Sequence, residues 1–163
     1  MAFDKRELRN TLGLFATGVT IMTTVSKAGE VAAMTVNSFT SLSLSPPLVI
    51  WSVDLGSSLF DEFNVAEGFA VNILAEYQQE ISDLFARSEN DQKDMLASFE
   101  ISELGNPILR GSRAVIECEI KDRITQGDHQ IIIGSVMGFS GDASKQPLVF
   151  SCGRYYELGA QLG

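Results

Sequence analysis

The chain is short of basic charge, cysteine, histidine and long apolar runs, and each shortage excludes a class of function. Twelve Lys and Arg face 21 Asp and Glu, a formal net charge of −9 over 163 residues. A broad nucleic-acid surface is driven by clustered Lys and Arg, so nucleic acid is not an expected partner, and any anionic ligand needs a local exception to this field. Two cysteines, Cys118 and Cys152, can form one bridge at most. No Cys-x-x-Cys or Cys/His spacing offers zinc a ligand set, so no metal site is expected. Cys118 alternates with Ile116 and Ile120 and reads as a small, reduced core residue. No apolar run approaches the ~20 residues of a membrane helix, and the start, Met1-Ala2-Phe3-Asp4-Lys5-Arg6-Glu7, lacks the apolar core of a signal peptide. A cytoplasmic protein with no membrane partner is expected.

What is present suits one domain over residues 1–163, with no internal repeat and no low-complexity linker. Asp4 with Glu7 three residues on has the form of a capping box, and Leu8, Leu12 and Phe15 recur at helical spacing, predicting a helix over 5–14. Residues 19–25 are rich in β-branched side chains and predict a first strand, which a turn at 27–30 returns into 31–38. Residues 48–53 are almost continuously apolar and predict a central strand buried on both faces. Ser57 or Ser58 is placed to cap a short helix through Leu59, Phe60 and Phe63, followed by a buried strand at 69–74. Tyr77, Ile81, Leu84 and Phe85 fall on one stripe, so 76–87 reads as an amphipathic helix with Gln78 and Gln79 off the stripe. Residues 88–94 read as a loop and 95–99 as a helical turn. Strands at 113–123 and 130–136 flank a turn at 126–129, and shorter ones at 147–150 and 153–158 close the sheet. Many short strands with three helices predict a mainly β fold, a barrel with helical decoration.

One stretch organises the rest. Thr35, Asn37, Ser38, Thr40, Ser41, Ser43 and Ser45 set seven small hydrogen-bonding side chains among Met34, Val36, Phe39, Leu42 and Leu44, with no charge. Neutral donors beside apolar contacts suit a ligand with a flat ring, a hydroxylated linker and a phosphate. Composition alone favours an ordinary half-exposed strand ended by Pro46 and Pro47. His129 is the only histidine, so any imidazole chemistry rests on it; by position alone it also reads as a turn residue satisfying local backbone groups. Asp128, His129 and the many serines raise a Ser-His-Asp hydrolase, but sequence neighbours rarely satisfy triad geometry and no Gly-x-Ser-x-Gly elbow is present. No Gly-x-Gly-x-x-Gly follows a strand, which removes a Rossmann dinucleotide site.

The order of residues 35–49 closely resembles the signature of the flavin reductase-like family, short-chain NAD(P)H:flavin oxidoreductases with an FMN-binding split β-barrel. Thr17-Gly18-Val19-Thr20, Phe69-Ala70-Val71-Asn72-Ile73-Leu74, Gln79 with Ile81-Ser82 and Phe85-Ala86, Gly127-Asp128-His129 and Gly153-Arg154-Tyr155 match the same family, so the resemblance covers 12–158. It implies a split β-barrel that reduces FMN or FAD with NADH or NADPH, by hydride transfer from nicotinamide C4 to flavin N5. It also implies a homodimer that supplies reduced flavin to a separate monooxygenase. A flavin-holding electron carrier without fast NAD(P)H turnover is the alternative, and a scaffold subunit without cofactor a third.

For the site, the resemblance puts His129, with Gly127 and Asp128, beside the nicotinamide and flavin rings, as a positioning residue or donor. Thr17, Thr35, Val36, Asn37 and Ser38 are expected to contact ring, ribityl chain and phosphate. Ser41, Ser43 and Ser58 are carried over by position in the motif. Arg87 and Lys93 are the candidates for positive charge near a phosphate, and Tyr155 for either ring contact or core packing. Ala33 stands where many members carry glycine, which narrows the approach to the ring.

Overall fold

The computed structural model describes residues 3–87 and 93–162, and of residues 93–95 the backbone alone. Asp4 caps α1 (Lys5–Leu12), its carboxylate accepting from the N–H of Arg6 at 2.7 Å and of Glu7 at 3.0 Å. The helix ends at Leu12, capped by Gly13 and two residues short of the expected Leu14, and strand β1 (Thr17–Gly18) follows. Then follow β2 (Thr20–Val25), β3 (Val31–Val36), β4 (Thr40–Leu44), β5 (Pro47–Asp54), α2 (Phe60–Val65) and β6 (Gly68–Ile73). A 3₁₀ turn (Glu76–Gln78) leads into α3 (Gln79–Phe85), and a second (Lys93–Ser98) into β7 (Phe99–Ile101) and β8 (Pro107–Leu109). Two long strands, β9 (Ala114–Gln126) and β10 (His129–Gly141), and two short ones, β11 (Val149–Ser151) and β12 (Arg154–Tyr156), complete the chain.

Seven strands form one antiparallel sheet in the order β3-β2-β6-β9-β10-β5-β4. Its two edges, β3 and β4, are consecutive in the chain and separated only by residues 37–39. From Val36 to Thr40 the backbone spans at most ~14 Å, whereas a flat sheet of this width would hold its edges ~28 Å apart. The sheet therefore curls on itself into a split β-barrel. At the seam the next rung beyond the Thr40–Ile50 pair is made by a side chain: Ser38 Oγ donates to the Ser52 carbonyl at 3.0 Å and accepts from the Ser52 N–H at 3.1 Å.

Curling gives the chain two cores. Inside the barrel, Trp51 meets Phe63 of α2 edge-on at 4.9 Å and Phe69 of β6 at 5.9 Å, with Met22, Val71, Cys118 and Ile132 around them. Burial pushes the Cys118 thiol up to about 12, with Glu117 adding to the shift, so it stays a neutral core group as expected. Outside, Ile21, Ala33, Leu74 and Phe85 pack with Phe99 and Leu109, which explains why β2 and β6 are buried on both faces. Between the layers, buried Asn72 is fully used: its amide donates to the Ile21 carbonyl and Thr23 Oγ1 and accepts from the Leu109 N–H at 2.7 Å.

Three expectations are corrected. β5 buries Val49, Trp51 and Val53, but Leu48, Ile50 and Ser52 are only half-buried, because α3 lies on β2 and β3 and leaves that face uncovered. The helix over 76–87 starts as a 3₁₀ turn, whose tighter winding rotates the first residues out of phase. Gln78 is buried, accepting from the Ala75 N–H and donating to the Arg110 carbonyl, while Tyr77 is exposed. Neither candidate caps α2, whose N-cap is Leu59: Ser57 accepts from the Leu59 N–H at 3.3 Å in the turn before the helix, and Ser58 makes no such bond. The loop expected over 88–94 falls mostly outside the described residues.

Gly134 interrupts the apolar run of β10 at a shift in register against β9, and a Cβ there would stand 2.5 Å from the Phe69 ring and 2.9 Å from Cys118 Cβ. Gly134→Ala should lower stability by roughly 1–3 kcal/mol through overpacking. The urea midpoint measures it, and an unshifted midpoint would show that the ring has room to yield.

Candidate active site

Residues 37–39 lie outside the ladder registers of both edge strands, which end at Val36 and begin again at Thr40. Their backbone N–H groups are thus left without rungs, in the segment where the barrel closes. Asn37, Ser38, Phe39 and Thr40 form one side of a cleft of about 1600 Å³, and Thr17 and Gly18 of β1 continue it. The far wall is the end of α1 with Leu12 and Phe15, closed by Phe150, Cys152 and Gly153 of the β11–β12 turn. The Thr17 hydroxyl is shut off from water and has no hydrogen-bond partner, an orphan of the kind a bound ligand satisfies.

Ser38 also fixes where this cleft lies. Its partner Ser52 is two residues along β5 from Asp54, a step of ~7 Å. Asp54 is the register partner of His129 at the start of β10. The β9–β10 turn, with Gly127 at φ +62° and Asp128, thus lies at the same end of the barrel as the seam. His129 Nδ1 meets Asp128 Oδ1 at 2.7 Å, and both side chains reach solvent. The imidazole hydrogen bond, first, then the backbone and the charge of His129 hold the Asp128 carboxyl below its ordinary value, with a small contribution from Lys5 of α1. The Leu55 N–H donates to the Asp128 carbonyl at 3.0 Å, which ties the exposed loop carrying Ser58 to the same turn.

The remaining candidates are scattered. Thr35 Oγ1 donates to the Ser82 carbonyl at 2.7 Å, and Ser82 Oγ meets the Tyr155 hydroxyl at 2.8 Å. Tyr155 also packs edge-on against Phe150 at 5.3 Å, and burial raises its hydroxyl above the ordinary phenol value. These hydroxyls brace β3, α3 and β12 to one another, and Tyr155 backs Phe150 of the cleft lining, so together they form the support, or floor, of that lining. Val36 packs on the barrel core and its carbonyl accepts from Thr20 Oγ1. Ser41 and Ser43, separated by a bulge in β4, line a different, apolar groove with Phe39, Leu44, Val136 and Phe139. Arg87 follows the end of α3, exposed and not among the residues lining the cleft. The Lys93 side chain lies outside the described residues. Sequence reasoning missed the wall made by α1 and the β11–β12 turn; its only signal was that Leu8, Leu12 and Phe15 make a helical stripe, which reads as core but is exposed. Among the described residues no cluster of His, Cys, Asp or Glu could hold a metal ion.

An FMN reductase (NADH) of Agrobacterium fabrum is 38% identical over 158 residues, 97% of this chain and 88% of the relative. The reductase component of a flavin-dependent trigonelline monooxygenase from Acinetobacter baylyi is 42% identical over 135 residues, 83% of this chain. The chain spans about half the length of some curated relatives it matches, 43% of that one and 49% of another from Rhizobium meliloti. The Streptomyces globisporus NADH:FAD oxidoreductase, solved in complex with NAD and FAD fragments, superposes with a TM-score of 0.89 at 34% identity, over 96% of this chain and 93% of that one. Residues 12–159, from the cleft wall to beyond β12, match the family described as flavin reductase like domain, and the chain belongs to that family.

Proposed function

We propose that this chain reduces FMN or FAD with NADH or NADPH. The observation that carries the reading is the meeting, at one end of the barrel, of a carboxylate-free cleft with unladdered backbone donors and the only histidine of the chain. The flavin, when bound, supplies the ring that accepts hydride at N5 from nicotinamide C4. The protein's part is to hold two flat rings in register and to aim fixed neutral donors at the edge where negative charge gathers. The N–H groups of Asn37, Ser38 and Phe39 and the orphan hydroxyl of Thr17 are those donors. Because Ser38 spends its hydroxyl hydrogen on Ser52, its contribution to a ligand is its backbone and its remaining acceptor site. Thr35 and Tyr155 act by holding this floor rigid, and Ser58 beside the histidine turn by contact at the mouth.

His129 works from the side. With Nδ1 engaged by Asp128, Nε2 is the ring nitrogen left for a ligand, so the pair fixes both tautomer and aim. We assign it the positioning of the nicotinamide, with Gly127 giving the turn its left-handed residue. Reduced flavin then passes to a separate monooxygenase, a role supported by relatives named as reductase components. The protein acts in the cytoplasm, in keeping with two free cysteines, and no described helix is long and apolar enough to cross a membrane.

The chain works as a homodimer, paired through the apolar groove lined by β4, β5, β9 and β10. Leu44 is 92% and Phe139 83% exposed there, a contiguous apolar surface of the kind that marks an interface. Leu44→Lys with Phe139→Lys should convert a dimer into a monomer in sedimentation velocity; an unaltered coefficient would place the interface elsewhere.

Anaerobic stopped-flow absorbance of the protein with FMN or FAD, mixed with NADH and then NADPH, tests the activity. Rapid bleaching that turns over excess flavin is expected; binding without bleaching would instead favour the electron-carrier reading. His129→Ala should slow bleaching by roughly 100-fold, the cost of a misplaced reacting group, with flavin affinity held within a few-fold. Bleaching at the parent rate would remove His129 from the reaction.

A further inference from the structure

Arg9 stands in the last turn of α1 and is the one charged side chain among the described residues that line the seam cleft. No carboxylate shares that lining, although the chain as a whole carries −9. Neither does Arg9 make an ion pair among the described residues, where the pairs are Arg110–Glu100, His129–Asp128 and Lys145–Asp142. An exposed guanidinium facing a carboxylate-free cleft is the local exception that an anionic ligand requires in so acidic a protein.

The helix that carries it is built as a wall of the cleft. None of its eight residues is buried. It is fastened at one end, where the Gly13 carbonyl accepts from the Cys152 N–H at 2.7 Å and from Ser151 Oγ at 3.4 Å. That fastening depends on a turn in which Cys152 and Gly153 both take positive φ, 50° and 75°, so the backbone N–H of Cys152 is turned toward α1. At its other end Lys5 is near enough to act on Asp128. The helix thus runs alongside the site from the β11–β12 turn toward the histidine turn, with Arg9 between.

We propose that Arg9 receives the phosphate ester of the nucleotide bound in this cleft. The inference rests on the flavin reductase reading and names the cation of that same site. The rest of the lining is neutral, and neutral donors alone compensate poorly for stripping water from a phosphate. A guanidinium offers a planar fork that matches two phosphate oxygens at once. The phosphate belongs either to the flavin or to the nicotinamide nucleotide, and the two sources are separable.

Fluorescence titration of the parent and Arg9→Gln with FMN, FAD and riboflavin makes the test, since riboflavin has the same ring and ribityl chain without phosphate. The FMN-over-riboflavin affinity ratio should fall by roughly 10- to 100-fold in the variant, the range for a hydrogen-bonded charged contact. Arg9→Lys should recover part of it, and ~0.5 M salt should narrow the difference between parent and variant. Matching thermal melts would confirm that the fold is intact, as expected of a side chain on an unburied helix. If the flavin ratio holds but KM for NADH rises by a similar factor, Arg9 meets the phosphate of the nicotinamide nucleotide. If ratio and KM both hold, Arg9 is a solvated surface charge and the proposal falls alone. A parent that binds no flavin would overturn the reductase reading, and this assignment with it.

Discussion

The crossing of residues 37–39 from one edge of the sheet to the other is the constraint on which the rest of the molecule depends. Three residues cannot bridge a flat seven-stranded sheet, so the strands must close around Trp51, Phe63 and Phe69. Closure is incomplete because the crossing segment runs over the seam and cannot join the ladder it spans. Ser38 completes it with a side chain in place of a rung. The same step that shuts the hydrophobic core leaves a short length of backbone outside the ladders, at the surface. The candidate site is a consequence of how the barrel closes, and it needs no separate device to form it.

The electrostatics of that end of the barrel follow from exposure as much as from composition. Asp128 reaches solvent and is held below its ordinary pKa mainly by the hydrogen bond from His129. Its charge is therefore kept throughout the neutral range, and the tie to His129 is lost only when the pH falls through that lowered value. Being exposed, the pair does little for stability, and its effect is local orientation of the imidazole. Across the seam the donors are neutral and fixed by the scaffold, so no ionisation has to be maintained for them to act.

Much of this was legible in the sequence because the signals were local. Asp4 before a helical stripe, Gly127 in a tight turn between strands and Cys118 in alternation with Ile116 and Ile120 each declare a conformation within a few residues, and each has it. Order within the Ser- and Thr-rich stretch was enough to mark the site segment. What was not legible are the partners of each hydroxyl. Thr35 and Ser38 look alike as neutral donors, yet one bonds Ser82 and the other Ser52, 47 and 14 residues away. Those pairings are products of closure, which no window on the chain contains. Phase failed for the same reason at Tyr77 and Gln78, where one turn of 3₁₀ helix, bonded to Gly111 and Arg110 far along the chain, exchanged an apolar residue for a polar one in the interior.

The two sides of the cleft differ in how they are held. Its floor is cross-linked through Ser82, which joins β3 by its carbonyl and β12 by its hydroxyl while itself fully buried in α3. Moving Thr35 or Tyr155 would leave buried polar groups unpaired, at about 1–3 kcal/mol each. The wall, α1, buries nothing, and its order rests on the Asp4 cap, about 1 kcal/mol, and on the Gly13 carbonyl held by Cys152. Since local opening costs least where few apolar contacts are lost, α1 belongs to the low-stability end of the molecule and the floor to the high end. A ligand that bridges the two therefore gains most of its order from the floor and gives order to the wall.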